Sequence, residues 1–162
     1  LRWLARLVVR FTPTAVKLRA CREVSADFAS ILAAKLDASG AGGLDAYRAA
    51  ARETGLRAGR RLRDNLLLGD SFKDAELAWR LVSKVSGMKF AVERQDARSV
   101  FNHTFCPVFA SGGKPLCDSF CLPMVEGLTE AICPSCRVEI VQAAGPSGPC
   151  TKALVYGGKR DA

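Results

Sequence analysis

The chain has 162 residues, of which 49% are hydrophobic and 25% charged. These are the proportions of one globular fold with its own core, not of a disordered or fibrous chain. No stretch reaches the roughly 18 apolar residues of a membrane-spanning helix, and Arg2, Arg6 and Arg10 interrupt the opening LRWLARLVVRF, which therefore does not read as a signal peptide. A chain that starts on Leu1 leaves open what was trimmed before it.

Residues 1–11 set Trp3, Leu4, Leu7, Val8 and Phe11 at helical spacing with arginines between. This is a short basic amphipathic helix, suited to its own domain, a twin subunit or a membrane surface. Thr12-Pro13 then reads as a helix start. Val24, Phe28, Ile31, Leu32 and Leu36 continue that helix as one apolar stripe. The segment SGAGG at 39–43 ends it.

A third helix is expected over 44–67, with Gly55 and Gly59 allowing a close helix neighbour. A fourth should start at the cap Asp70 or Ser71 and run to about Ser86, with Leu77, Leu81, Val82 and Val85 as its buried stripe and Trp79 beside it. The pattern then alternates: Met88, Phe90 and Val92 mark a strand, and a second strand is expected over 99–105 after the connection 94–97. Another helix is expected over 118–131. The last two strands, 137–143 and 151–156, are joined by the turn GPSGP. Together these predict an α+β fold, N-terminal helices packed on a four-stranded antiparallel sheet with a helix between the two strand pairs. The organisation expected is 1–43 as N-terminal helices, 44–157 as the α+β domain and 158–162 as a tail.

The formal charge of +8 raises nucleic acid as a partner. The basic residues fall in two groups, Arg2 to Arg22 and then Arg57, Arg60, Arg61 and Arg63, without aromatics interleaved on strands. They read as solvated helix faces, and nucleic acid is not the expected partner.

Six of the seven cysteines lie between Cys106 and Cys150. The odd total and the missing export signal argue for reduced thiols in a cytoplasmic protein and for metal ligation. Cys133 and Cys136 form the sole CxxC, which reads as a turn, a redox pair or two ligands. Cys117 and Cys121, four apart, would face one side of a helix. A hairpin of the last two strands could bring Glu139 and Cys150 to them. Set against this, free cysteine is often only a small buried hydrophobe.

The segments YRAAARETGLRAGRRL, LVSKVSGMKFAV, FNHTFCPVFASGGKPLCDSFCLPMVEGLTEAI, VEIVQAAGPSGPC and TKALVY span about 44–156. In their order and cysteine placement they resemble the 4-vinyl reductase domain family, small-molecule-binding modules related in fold to the TRAPP tethering subunits. The resemblance implies a zinc site on Cys117, Glu139 and Cys150. Its remaining ligand position falls on Gln142, where Cys106 or Cys121 would have to substitute. Cys106, Cys117, Cys121 and Cys150 together would also admit an iron–sulfur cluster. A second similarity, to L-2-amino-thiazoline-4-carboxylic acid hydrolases, rests on Cys106-Pro107, Cys117-Asp118 and Cys150. It implies a thiolate nucleophile, with His103 as the one available histidine base.

The expected function is binding or sensing of a small apolar molecule, without catalysis. The pocket would lie between helices and sheet, lined by Trp79, Phe90, Phe101, Phe105, Phe109 and Tyr156, with a structural metal site beside it. The alternatives are a cysteine-dependent hydrolase of a small cyclic amide or amidine, and an assembly module that forms a homodimer through its N-terminal helices.

Overall fold

The computed structural model describes residues 43–157 except Ser147, and also Thr14, Arg19, Cys21, Val24, Ser25, Phe28 and Ile31, each of them helical. The helix expected over 1–11, the joint 39–42 and the tail 158–162 lie outside the described residues. In chain order the elements are α1 (Leu44–Leu66), α2 (Phe72–Val85), β1 (Lys89–Gln95), β2 (Arg98–Phe105), α3 (Pro107–Leu116), a π-helical turn (Cys117–Cys121), α4 (Leu122–Ile132), β3 (Cys136–Gln142) and β4 (Thr151–Tyr156). The four strands form one antiparallel sheet in the order β1-β2-β4-β3. This is the α+β architecture expected, with helix between the two strand pairs.

Two glycines set how closely α1 and α4 approach. A Cβ on Gly55 would collide with the carbonyl oxygen of Met124, and one on Gly127 with that of Arg52. The helices therefore meet backbone to backbone, which only glycine permits at those points. Ser71 caps α2: its Oγ accepts the Asp74 N–H at 3.2 Å and donates to the Asp74 carboxylate at 2.7 Å. The buried face of α2 differs from the stripe expected. Leu81 is buried, but Ala75, Ala78 and Trp79 belong to the core cluster, whereas Leu77 and Val82 pack only at its margin. Small alanines let the helix close on the sheet, and the indole fills the space between them.

The core joins Trp79, Phe101, Leu128, Ile132 and Leu154. Trp79 and Phe101 pack at a tilt with ring centroids 5.0 Å apart, and the indole N–H donates to Thr129 Oγ1 at 2.8 Å. At the edge of this core Glu76 is buried and accepts hydrogen bonds from Arg80, Arg94 and Ser99. Burial alone would raise its pKa, but those three partners outweigh burial and hold it below the ordinary value.

Side chains alternate across the sheet. Lys152 pairs in register with Phe101 and Ile140, and Leu154 with Ser99 and Val138, so these residues share one face, which the helices cover except at the exposed Ile140. Glu139 pairs with Ala153 and belongs to the opposite face.

Candidate functional site

The thiols gather where β2 and β4 meet the segment 106–121. Helical structure begins earlier there than the sequence pattern suggests. Cys106, in extended conformation, caps α3, and Pro107 occupies its first turn. Gly113, at φ 60, and Pro115 then kink the helix. The π-helical turn follows. Pro123 has no N–H to offer the Ser119 carbonyl one turn back, and the Leu122 N–H reaches instead to the Cys117 carbonyl, five residues away. Ser119 Oγ donates to the freed Pro115 carbonyl at 2.7 Å. Cys117 and Cys121 open and close this turn, and both are buried.

Cys106, at the end of β2, and Cys150, just before β4, are buried as well. Among these sulfurs lies a residue the sequence reading passed over. Lys152 is only 3% exposed, and its Nζ stands 3.0 Å from Cys121 Sγ. Among the described residues no carboxylate pairs with it, so its partners are sulfurs. Burial opposes the charge on this lysine, but Cys121 and Cys150 outweigh it and hold the ammonium above its ordinary pKa. The thiols shift with it. Burial, then the sulfurs of Cys121, Cys150 and Cys106, push Cys117 up to about 11 against a smaller pull from Lys152. Cys150 is raised chiefly by burial, with Lys152 pulling the other way.

His103 borders the same centre. Burial and then the Lys152 charge lower its pKa to about 4. It is therefore neutral at pH 7, with Nδ1 placed to donate to the Cys150 carbonyl oxygen at 3.1 Å. That bond ties β2 to the start of β4 and commits Nδ1 to a backbone carbonyl.

The six clustered cysteines thus divide into four and two. Cys106, Cys117, Cys121 and Cys150 surround Lys152. Cys133 and Cys136 instead form a disulfide within the apolar core, closing the turn in which the Cys136 N–H donates to the Cys133 carbonyl. The general expectation of reduced thiols does not hold at these two positions, for which the sequence also leaves a turn or a redox pair open. Cys21 is exposed on its helix.

Glu139 does not join the thiols. It lies on the far face of the sheet, with its carboxylate 2.9 Å from Arg137 and 3.5 Å from Arg98. The separation follows from the two-residue period of the strand: Ile140, not Glu139, faces Lys152. Among the described residues no three His, Cys, Asp or Glu side chains are grouped as a metal ion requires. The four thiols have the softness for zinc or an iron–sulfur cluster, but the positive charge set among them is the Lys152 ammonium. As arranged here, they do not fit a metal.

The expected pocket aromatics are also dispersed. Trp79, Phe101 and Phe90 stack in the core, with Phe90 5.7 Å from Phe101. Phe109 packs against Cys117, Ala144 and Cys150. Phe105 and Tyr156 are exposed, and Tyr156 borders a separate recess with Asp70, Lys73 and Asp96. An apolar recess of about 330 Å³ lies elsewhere, between Phe28 and Tyr47 on one side and Pro107, Val108, Leu116 and Phe120 on the other. Phe28 meets both Tyr47 and Phe120 edge-on at 5.0 Å.

Two signals could have found these residues. Lys152 alternates with Thr151 and Ala153 and so shares a face with Leu154, an unusual place for a lysine. Phe120 sits between Cys117 and Cys121 and so lies beside whatever those cysteines build. Among the described residues no helix is long and apolar enough to cross a membrane. No family model matches the chain, and neither the curated proteins nor the solved structures give a match.

Proposed function

We propose that this domain binds a small, largely apolar molecule in the recess between Phe28, Tyr47 and the segment 107–120, next to a buried thiol centre that responds to its occupancy. One observation carries the reading. Pro107, Leu116 and Phe120 line the recess, and each directly adjoins a cysteine of the centre, Cys106, Cys117 or Cys121. A ligand that pushes on this kinked segment moves the sulfurs behind it. The volume is at the lower end of small-molecule sites, and the lining offers aromatic faces with few polar groups, which favours a compact apolar ligand. The hydrolase reading has less support: the buried thiols of Cys117 and Cys150 are raised rather than activated, and His103 is committed to a backbone carbonyl.

The test is titration of the full chain with the neutral fluorescent probe N-phenyl-1-naphthylamine. Saturable binding is expected, weakened at least about tenfold in Val108→Trp, which fills the recess. Binding should also change the rate at which iodoacetamide labels Cys117 and Cys121. Equal binding by the filled variant, or none by the wild type, would sink the reading.

A further inference from the structure

The contact between Lys152 and Cys121 has a chemical consequence independent of any ligand in the recess. We infer that Cys121 and Lys152 are an oxidation site, at which hydrogen peroxide joins the sulfur of one to the side-chain nitrogen of the other. Three observations support it. Nζ and Sγ stand 3.0 Å apart, so a bond between them needs only a small approach. Both side chains are buried, at 0% and 3% exposure, which keeps a bulky external thiol from reaching an oxidised Cys121. No carboxylate among the described residues holds Lys152 elsewhere, and Cys121 is free of any disulfide.

The step balances with peroxide as the oxidant. The Cys121 sulfur takes one peroxide oxygen, giving the sulfenic acid and releasing one water. The Lys152 nitrogen then attacks that sulfur, the S–O bond breaks, an S–N bond forms, and a second water leaves. Overall, one thiol, one amine and one peroxide give a sulfenamide and two waters. Sulfur loses two electrons and peroxide gains them. Writing the pair as thiol and amine or as thiolate and ammonium changes only where one shared proton begins. Condensation with a backbone nitrogen, giving a sulfenamide, is an established fate of a sulfenic acid when no thiol arrives first, and an amine is the stronger nucleophile. Here the lysine is the neighbour in direct contact. Peroxide is close to water in size, and the recess is lined by Phe120, the residue next to Cys121 in the chain.

The experiment treats the reduced full chain with hydrogen peroxide, digests it without reductant and maps the peptides by tandem mass spectrometry. The expected product is a peptide containing Cys121 cross-linked to one containing Lys152. It should be two hydrogens lighter than their sum, resist tryptic cleavage after Lys152 and separate again with dithiothreitol. Lys152→Arg keeps the positive charge but should yield no link, with Cys121 proceeding instead to sulfinic acid. The wild-type map decides the matter even if that variant fails to fold. A disulfide from Cys121 to Cys106, Cys117 or Cys150, or a Cys121 unaltered by peroxide, would overturn the inference.

Discussion

The helix-covered face of the sheet has two halves, and they differ within two residues along each strand. On β4, Leu154 faces the apolar core while Lys152 faces four thiols. On β2, Phe101 packs against Trp79 while His103 bonds the Cys150 backbone. One half contains the aromatic and aliphatic packing that stabilises a small domain. The other places a cation and a neutral histidine among sulfurs, where leucine and phenylalanine would pack as well. Such groups add less to stability than the apolar packing of the other half, and they are where the proposed function places its chemistry.

The sharpest way to break this contrast is to mutate both sides of it on one strand. Leu154→Ala should cost about 3–4 kcal/mol, from lost burial and the cavity left behind. Lys152→Met should cost less than about 1 kcal/mol, because the thiols left behind can stay protonated and a flexible thioether fills the same volume. Urea denaturation of both variants decides it, and equal losses would remove the distinction between the halves. Gly127→Ala tests the scaffold that holds both. Its new Cβ meets the Arg52 carbonyl, and a loss of about 2–3 kcal/mol is expected in the same assay.

Acid should act on the two halves in separate windows. His103 is lowered from its ordinary 6.5 to about 4. Between those values the unfolded chain therefore binds more protons, and stability falls as pH drops. His103→Gln should flatten that part of a stability profile. Glu76 lies below its ordinary 4.5, so its contribution persists above that pH and is lost as pH falls further below it. Glu76→Gln should lower stability above that pH and remove only this more acidic part of the pH dependence. Trp79→Phe, which keeps a ring in the core but gives up the hydrogen bond to Thr129, should cost about 1 kcal/mol in the urea assay.

Much of the scaffold is legible in the residues. Alternation placed the four strands, and Gly55 announced the close approach of a helix, because both are local patterns with one physical meaning. The segment 106–121 was not legible, since its Gly-Gly and Pro signals mark a kink inside helical structure as readily as a loop. The spacing of Cys106, Cys117, Cys121 and Cys150 is enough to expect them together, and all four lie around Lys152. Glu139 lies apart, because a one-residue offset on β3 sends it to the other face. Lys152 was missed because a lysine in a strand is ordinarily taken as solvated, and its burial depends on sulfurs supplied by three other parts of the chain.

The account turns on what supplies positive charge to the four thiols. Elemental analysis of the reduced, anaerobically purified full chain, taken with its visible absorption spectrum, tests this most directly. With Lys152 in that role, zinc and iron should both be well below one equivalent, and the protein should be colourless. One equivalent of zinc retained through Cys106, Cys117, Cys121 and Cys150, or iron with the broad visible absorption of a cluster, would contradict it.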